Sequence, residues 1–386
     1  MNETFPARLR AAFEVNMASG VEVGAAVSVW RGGTEVFRMS DGFRDAARTS
    51  PWTDDTLVLI WSATKGLAAT CVLRCVDEAG LGLDAPLAEF WPEFAAGGKS
   101  RLTIGQVMSH VAGLGALRKD GVSILDHAAV ASALAEQEPF GEALGCTAYG
   151  PRTSGFLMDE IVRRLTGGET LGDYWIRNFA EPLGLDLWIG LPEEEDSRVA
   201  AMLAARSSGD VNDPFFIAFS DARSLTRRAF STPSGLGTVT MMNQPSARRA
   251  SVPSMGGIGS ASSLAKFYAV LASAGMFEGR RYFSDRVFGW MTTRRSQGFD
   301  KILRADLSFS AGLMMDPLDG EGRKLRCLMG PSLSGFGHPG AGGSLAFADP
   351  EAGVGFAYVM NQMEAGVLPG RRAQALVKAF YGLSAE

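Results

Sequence analysis

Ser62 and Lys65 stand three positions apart in the segment Ser62-Ala63-Thr64-Lys65, and their types fit nucleophilic catalysis. Residues i and i+3 of a helix share a face, so the lysine amine can reach the serine hydroxyl. A serine hydroxyl is a weak nucleophile at neutral pH and needs a base. A lysine amine can be that base when desolvation or a cationic neighbour lowers its pKa. The pair therefore predicts acyl transfer through a serine nucleophile.

The position of Ser62 along the chain supports this interpretation. The apolar run 57–61 predicts a short strand, and the pattern becomes helical from Ser62 until Ala79-Gly80. Ser62 would therefore open a helix directly after a strand. Backbone N–H groups at a helix N-terminus have no intrahelical acceptor and can hold a developing oxyanion.

The spacing alone is not specific, because the chain contains a second pair of this kind, Ser263 and Lys266. We expect that pair to be an N-cap serine and a surface lysine. The segment 98–100 lacks the first glycine of a phosphate-binding loop, and no GxSxG segment occurs. The three histidines lack metal-ligand spacing and no CxxC pair exists, so no metal site is expected.

Two later segments place a polar aromatic side chain among turn residues. Tyr149 lies in the segment 147–151, where a half-buried ring with its hydroxyl in water is the plain alternative to a catalytic role. His338 lies in the glycine-rich segment 336–344. Such a segment predicts either a tight loop or a strand whose backbone approaches a ligand closely.

Taken in order, the SxxK segment, Tyr149 and the His-Pro-Gly segment at 338–340 resemble the serine β-lactamase and penicillin-binding-protein superfamily. The resemblance is closest to the family VIII carboxylesterases, relatives of the class C β-lactamases, and extends from about residue 21 to residue 360. Further stretches match that family's habits: Leu83-Asp84-Ala85-Pro86, Phe90-Trp91-Pro92-Glu93-Phe94, Met108-Ser109-His110-Val111-Ala112-Gly113-Leu114, Gly340-Ala341-Gly342-Gly343-Ser344 and Phe347-Ala348-Asp349-Pro350.

The resemblance implies a role for each residue that reacts. Ser62 is expected to be the nucleophile. Lys65 and Tyr149 are expected to share the general-base role, with the lysine ammonium favouring the tyrosine phenolate. The backbone N–H groups of Ser62 and Ala341 are expected to form the oxyanion hole. No cofactor is implied.

The resemblance also implies how the site is lined. His338 and Gly340 are expected to contact substrate, with His338 in the place of the family's frequent lysine. His110 is expected to pack beneath the site without taking part in the reaction.

Two departures from the β-lactamase pattern favour esters as substrates. Pro151 stands two residues after the tyrosine, where β-lactamases of this type usually have Asn, and His338 and Pro339 replace Lys and Thr. These changes remove groups that bind the amide and carboxylate of a β-lactam. We therefore predict a serine hydrolase that cleaves short-chain carboxylic esters through a Ser62 acyl-enzyme, with weak or no β-lactam hydrolysis.

Several alternatives stay open at this point. An acyltransferase on the same fold differs from a hydrolase only in which nucleophile reaches the acyl-enzyme. A β-lactamase or a D-amino peptidase is a further enzymatic alternative, and a ligand-binding sensor is the non-enzymatic one. Phe215, Phe216 and Phe219 are expected either to form an apolar pocket wall or to lie in the core.

Periodicity predicts the elements that must hold these residues. Helices are expected over residues 2–18, 62–79, 103–110, 151–165, 171–179, 262–274 and 371–381. Strands are expected over residues 21–30, 34–38, 307–314, 344–348 and 354–360. The segments 207–237 and 238–253 are rich in Ser, Pro, Gly and Arg, and we expect long loops there.

Strands at both ends with a helical middle predict an α+β fold. The expected architecture is β-lactamase-like: an antiparallel sheet flanked by N- and C-terminal helices, with an inserted, mainly helical domain. The sheet domain would comprise residues 1–70 and 285–386, the helical domain residues 71–284, and the active site would lie between them.

Composition limits the partners. The chain has 386 residues, is 46% hydrophobic and carries a formal net charge of −5, which argues against nucleic acid or an anionic membrane surface as a partner. The expected partner is a small-molecule ester, and homo-oligomerisation is left open. The charged, amphipathic N-terminal segment does not resemble a signal peptide, so a cytoplasmic location is expected.

Overall fold

The computed structural model describes residues 4–207 and 209–384, and its strands come mostly from the two ends of that chain. They are β1 (Gly24–Arg31), β2 (Thr34–Gly42), β3 (Val58–Leu59), β4 (Leu187–Ile189), β5 (Gly257–Gly259), β6 (Met276–Phe277), β7 (Arg280–Arg281), β8 (Ser296–Phe299), β9 (Asp306–Phe309), β10 (Met314–Met315), β11 (Phe336–Pro339), β12 (Leu345–Asp349) and β13 (Val354–Met360).

Helices fill the middle and close both ends. They are α1 (Phe5–Ala18), α2 (Thr64–Glu78), α3 (Ile104–Met108), α4 (His127–Glu136), α5 (Thr153–Thr166), α6 (Leu171–Trp175), α7 (Glu181–Leu183), α8 (Pro214–Ser220), α9 (Leu225–Ser231), α10 (Val239–Met242), α11 (Pro245–Arg249), α12 (Ala261–Ala272), α13 (Asp285–Thr292) and α14 (Arg371–Tyr381). Short 3₁₀ helices at Trp61–Ala63 and Ala341–Gly343 matter for the site.

The large sheet has the strand order β2-β1-β13-β12-β11-β10-β9-β8 and is antiparallel throughout. The N-terminal hairpin pairs with the last strand, so the two ends of the chain are joined in one sheet. A small sheet, in the order β3-β5-β4, holds the strand that precedes Ser62.

Two neighbouring residues of β13 show which helix packs on each face of the large sheet. The Gly355 backbone approaches α12 so closely that a Cβ atom there would lie 2.2 Å from the Ala265 carbonyl oxygen. The next side chain, Phe356, points to the opposite face and meets Phe380 of α14 with ring centroids 6.0 Å apart. Successive side chains of a strand point to opposite faces, so α12 covers one face and α14 the other. α1 packs on α14, and the rings of Phe5 and Phe380 meet edge to face.

This arrangement confirms the predicted antiparallel sheet with helices from both termini. The predicted first helix begins at Phe5, and residues 2 and 3 lie outside the described residues. α12 falls within residues 71–284, the segment assigned from sequence to the helical domain, yet it packs on β1, β12 and β13. The division into two domains stays a prediction.

The loops expected over residues 207–253 are wrong, because α8, α9, α10 and α11 lie there. Three of these helices begin at a capping side chain: Asp213, Ser224 and Thr238 each accept a backbone N–H from the first turn. Such caps favour helices too short to show a clear hydrophobic period. The many Ser, Thr and Pro residues that suggested loops are in part the residues that start these helices.

One strand prediction changes, and one open alternative is decided in favour of a strand. The run 307–314 is not one strand, because β9 ends at Phe309 and β10 begins at Met314, with a turn that contains Gly312 between them. The glycine-rich segment around His338 was expected as a loop or a strand, and it forms β11 between β10 and β12. Within the described residues, no helix is both long and apolar enough to cross a membrane.

Candidate active site

Ser62 lies on a sharp turn from strand to helix, as predicted. β3 ends at Leu59, the 3₁₀ helix Trp61–Ala63 follows, and α2 begins at Thr64. Trp61 has a φ of +49°, a left-handed conformation that is uncommon for a residue other than glycine. The Thr64 hydroxyl donates to the Trp61 carbonyl oxygen and accepts the backbone N–H of Gly257 at 2.8 Å, which ties this turn to β5.

Lys65 is fully buried, and its amine lies next to the Ser62 hydroxyl. The distance from Lys65 Nζ to Ser62 Oγ is 3.3 Å. Nζ also donates to the carbonyl oxygens of Pro151 at 3.0 Å and Ser254 at 2.7 Å. None of these partners is a carboxylate, and burial lowers the pKa of the amine well below its ordinary value.

Tyr149, the third predicted catalytic residue, lies beside Ser62 and Lys65. Its phenol is hydrogen-bonded to the Ser62 side chain, and Lys65 Nζ lies 4.8 Å from the centre of its ring. Burial raises the pKa of the phenol above its ordinary value, and the charge of Asp300 raises it further. Burial disfavours both charged forms, the ammonium and the phenolate, so it works against the phenolate that Lys65 was expected to favour, and that expectation stays a prediction.

His338 lies on β11, opposite Ala346 of β12, and is buried. Burial and the nearby Lys65 lower the pKa of its ring well below the ordinary value, so the ring is neutral. Nδ1 lies 2.7 Å from the Pro339 carbonyl oxygen and must carry the proton to donate to it. Nε2 is then an acceptor, and it has no hydrogen-bond partner within residues 4–207 and 209–384.

Gly340 and Ala341 follow directly. A Cβ atom on Gly340 would lie 2.2 Å from the Ile60 carbonyl oxygen, so glycine lets β11 approach the turn that carries Ser62. Close packing therefore explains why residue 340 is a glycine. The contact of Gly340 with substrate stays a prediction.

Ala341 is the first residue of its 3₁₀ helix, and Ser62 is the second of its own. At these positions an N–H has no intrahelical acceptor. Neither N–H donates to a backbone oxygen elsewhere in the described chain.

A narrow cavity of about 30 Å³ brings most of the predicted residues together. Its walls are formed by Ser62, Tyr149, Pro151, Phe230, Leu303, Met314, His338, Pro339, Ala341 and Val367. Gly340 and Lys65 are not among them, although Lys65 Nζ lies 3.3 Å from Ser62 Oγ. Sequence reasoning missed Phe230, Leu303, Met314 and Val367, because apolar side chains in scattered elements carry no motif.

The aromatic residues of α8 have a supporting role. Phe215 and Phe219 pack on Phe230 with ring centroids 5.3 and 5.8 Å apart, and Phe216 packs on Phe215. Of these four rings, only Phe230 of α9 lines the cavity. The alternative of a core role for Phe215, Phe216 and Phe219 is the one the structure supports.

His110 packs beneath the site, as predicted. Its ring lies 5.0 Å from that of Tyr149 and 4.7 Å from that of Phe309, and its Nδ1 accepts the N–H of Gly150 at 3.3 Å. Burial lowers the pKa of His110 to about 3, so the ring is a neutral support for the tyrosine segment.

The second pair is structural. Ser263 Oγ accepts the N–H of Asp186 at 2.9 Å, and Lys266 Nζ donates to the Leu183 carbonyl oxygen at 2.6 Å. The N-cap of α12 is Ser260 rather than Ser263. No group of three or more His, Cys, Asp or Glu side chains in the described ranges is arranged to hold a metal ion.

Known proteins share both this sequence and this fold. A family model described as Beta-lactamase matches residues 9–379. The Mycobacterium tuberculosis protein named Esterase/beta-lactamase LipL is 33% identical over 349 residues, which cover 88% of this chain and 77% of that protein. The structure of a family VIII carboxylesterase is 34% identical with a TM-score of 0.86, covering 98% of both chains.

A penicillin-binding protein homolog from Caulobacter crescentus is also 34% identical, with a TM-score of 0.85 and 98% of both chains covered. These likenesses confirm the α+β, β-lactamase-like fold expected from the sequence. Ser62, Tyr149 and His338 line one cavity, Lys65 lies beside Ser62, and the chain belongs to the β-lactamase family.

Proposed function

We propose that this protein is a serine hydrolase that cleaves short-chain carboxylic esters through an acyl-enzyme on Ser62, with weak or no β-lactam hydrolysis. The observation that carries the proposal is the buried Lys65 amine beside Ser62 Oγ. Two carbonyl oxygens accept the two N–H groups of a neutral amine, and its lone pair then faces the serine hydroxyl. That is the arrangement of a general base and its nucleophile.

Acylation follows from this geometry. Ser62 Oγ attacks the ester carbonyl carbon while its proton passes to Lys65 Nζ. The N–H groups of Ser62 and Ala341 stabilise the oxyanion. The Tyr149 phenol, neutral because burial raises its pKa, bridges toward the departing oxygen and passes a proton from the Lys65 ammonium to the alcohol. The site returns to its neutral state when the alcohol leaves.

Deacylation runs through the same groups. A water molecule replaces the alcohol and attacks the acyl carbon, while its proton moves through Tyr149 to Lys65. The proton then returns to Ser62 Oγ as the carboxylic acid is released. Every proton taken up by Lys65 is given back, so the cycle needs no other acid or base.

The walls of the cavity support an uncharged, short acyl group. Of the described residues that line it, none is Lys or Arg, and most are apolar. The neutral His338 ring offers a hydrogen-bond acceptor at Nε2, which does not favour a carboxylate. Losing a hydrogen bond to a charged group typically costs about 1.5–3 kcal/mol. A β-lactam carboxylate therefore lacks the partner it needs, whereas a simple ester does not need one.

The names of similar proteins agree with this proposal. LipL is named an esterase/β-lactamase, and the structural neighbour with a TM-score of 0.86 is described as a family VIII carboxylesterase. These names concern those proteins, and for this chain they support ester hydrolysis without fixing a substrate.

The test compares kcat/KM for nitrophenyl butyrate and nitrocefin, with intact-mass detection of the acyl-enzyme. We expect efficient butyrate release, an acyl adduct on the protein, and a kcat/KM for nitrocefin lower by about 10-fold or more, because at least one charge-assisted hydrogen bond is missing. Comparable values for both substrates would indicate a β-lactamase. Faster release on addition of an alcohol, with ester as product, would indicate an acyltransferase, and binding without turnover a sensor.

A further inference from the structure

Asp300 is a fully buried carboxylate beside the site, and the steps above do not use it. It lies in the turn between β8 and β9. Its Oδ2 accepts the backbone N–H of Tyr149 at 2.8 Å. Its Oδ1 accepts the N–H groups of Ile302 at 2.9 Å and Leu303 at 2.7 Å. One side chain thus binds three backbone donors from two separate segments of the chain.

The two segments that Asp300 joins are two walls of the same cavity. Tyr149 carries the phenol that is hydrogen-bonded to Ser62, and Leu303 is an apolar wall residue. A second bond runs in parallel, since the N–H of Lys301 donates to the Thr147 carbonyl oxygen at 2.9 Å. Two neighbouring hydrogen bonds therefore fix the turn to the tyrosine segment.

The turn is also held by one bond from a neighbouring helix and by two bonds within itself. Thr226 of α9 donates its hydroxyl to the Ile302 carbonyl oxygen at 2.8 Å. The Asp300 N–H donates to the Ala305 carbonyl oxygen at 2.8 Å, and the N–H of Arg304 donates to the Asp300 carbonyl oxygen at 3.0 Å. Because the turn is held at this many points, the carboxylate is a rigid anchor for the N–H of Tyr149.

Aspartate suits this position better than its neutral analogue. A carboxylate offers two acceptor oxygens and no donor, whereas an asparagine amide has one acceptor and turns an NH₂ group toward the remaining N–H. Two buried donors that face each other both lack an acceptor, so the hydrogen bond between the side chain at position 300 and that backbone N–H is lost. Either the N–H of Tyr149 or those of Ile302 and Leu303 must then shift.

We propose that Asp300 is a positioning residue for Tyr149, and that it holds the phenol in line with Ser62 and Lys65. The inference rests on the proposed role of Tyr149 in proton transfer. A misplacement of a catalytic group by about 1 Å can cost on the order of 100-fold in rate. Asp300→Asn should therefore lower kcat by about 10- to 100-fold and change KM little.

The test is a double-mutant cycle. If Asp300 only stabilised the fold, its substitution would cost the same factor with and without the Tyr149 phenol. The kcat for nitrophenyl butyrate is measured for wild type, Asp300→Asn, Tyr149→Phe and the double variant. If Asp300 acts through the phenol, its substitution has little to remove once the phenol is gone. We expect Asp300→Asn to cost less than about 3-fold in the Tyr149→Phe background.

Asp159→Asn is the matched control. Asp159 is 1% exposed and accepts the backbone N–H of Leu171 at 2.7 Å, but its partners lie away from the cavity walls. We expect its kcat to stay within about 3-fold of wild type, even where its thermal stability falls. Thermal unfolding of each variant shows that the protein assayed is folded. If Asp300→Asn does not fold, Asp300→Ser, which keeps an acceptor on a shorter side chain, takes its place in the cycle.

The outcomes separate the two proposals. If Tyr149→Phe keeps full activity, the proposed role of Tyr149 is wrong and this inference is overturned with it. If Tyr149→Phe is impaired but Asp300→Asn costs the same factor in both backgrounds, the proposed function stands and the positioning role is overturned. If Asp300→Asn lowers kcat in the wild-type background but not in the Tyr149→Phe background, both the proposed function and the positioning role are supported.

Discussion

The two Ser-x-x-Lys pairs of this chain share a spacing but not an environment. Lys65 is buried with Ser62 as a neighbour, whereas Ser263 and Lys266 bind different backbone groups and not each other. Spacing brings two side chains to one face of a helix, and only the surroundings decide whether the amine becomes a base. The chemistry therefore depends on what removes water from the lysine.

The first prediction compares the two serines. Ser62→Ala should lower ester hydrolysis by roughly three orders of magnitude or more, because the nucleophile is lost. Ser263→Ala should stay within a few-fold of wild type, since that hydroxyl accepts the backbone N–H of Asp186 and does not line the cavity. A serine-directed phosphonate should label the peptide that contains Ser62. Labelling at Ser263, or full activity in Ser62→Ala, would show that the nucleophile has been wrongly assigned.

At the scale of elements, the cavity is closed by helices that the sequence did not predict. α8 and α9 lie in the segment expected as loops, and Phe230 of α9, packed on the rings of α8, forms part of the cavity wall. Sequence identified the groups that react because each stands in a short motif. It could not identify the groups that shape the cavity, because an apolar side chain on a short helix looks the same whether it faces core or substrate.

The element-scale prediction concerns this wall. Phe230→Ala should widen the acyl cavity and raise the ratio of kcat/KM for nitrophenyl octanoate over butyrate by about 10-fold, as one or two methylenes gain room. Phe216→Ala is the matched control, since Phe216 belongs to the same aromatic cluster but does not line the cavity. An unchanged ratio in Phe230→Ala would place the acyl group elsewhere, and an equal change in both variants would point to general loosening.

Local patterns also found β1, β2, β12 and β13 and the stretch that forms β9 and β10, but they missed the edge strand β8 and left β11 open between a loop and a strand. For β11, Phe336-Gly337-His338-Pro339, a loop stayed open as the alternative because glycine and proline are rare inside strands. The structure explains their presence. A Cβ atom on Gly337 would lie 2.2 Å from the Ala346 carbonyl oxygen. This strand lies closer to its neighbours than ordinary side chains allow, and it brings His338 and Ala341 to the cavity.

At the scale of the whole molecule, the site joins parts of the chain that are far apart in sequence. Ser62 follows a strand of the small sheet, Tyr149 precedes α5, and His338 lies on the large sheet. The order of the motifs, through the family resemblance, predicted that these would meet, whereas periodicity alone did not. The fold that gathers them must also bury an amine, and this has a consequence for the stability of the entire protein.

The last prediction measures that consequence. The folded pKa of Lys65 lies below its unfolded value of about 10.4, so between these two pKa values the unfolded chain binds more protons than the folded one. In that window wild-type stability rises with pH, by at most about 1.4 kcal/mol per pH unit. Above the unfolded pKa the penalty is absent, and it grows as pH falls toward the folded pKa.

Lys65→Met removes this titration. The free energy of unfolding of the variant minus that of wild type should therefore decrease as pH rises toward 10, whatever its absolute sign. Urea unfolding at each pH measures this difference. Ser62→Ala is the control, because it abolishes catalysis while the buried amine stays, and its difference from wild type should be flat. If the Lys65→Met difference is flat as well, the amine keeps its proton in the folded protein. A permanently protonated lysine cannot accept the Ser62 proton, and the base would then have to be sought elsewhere in the cavity.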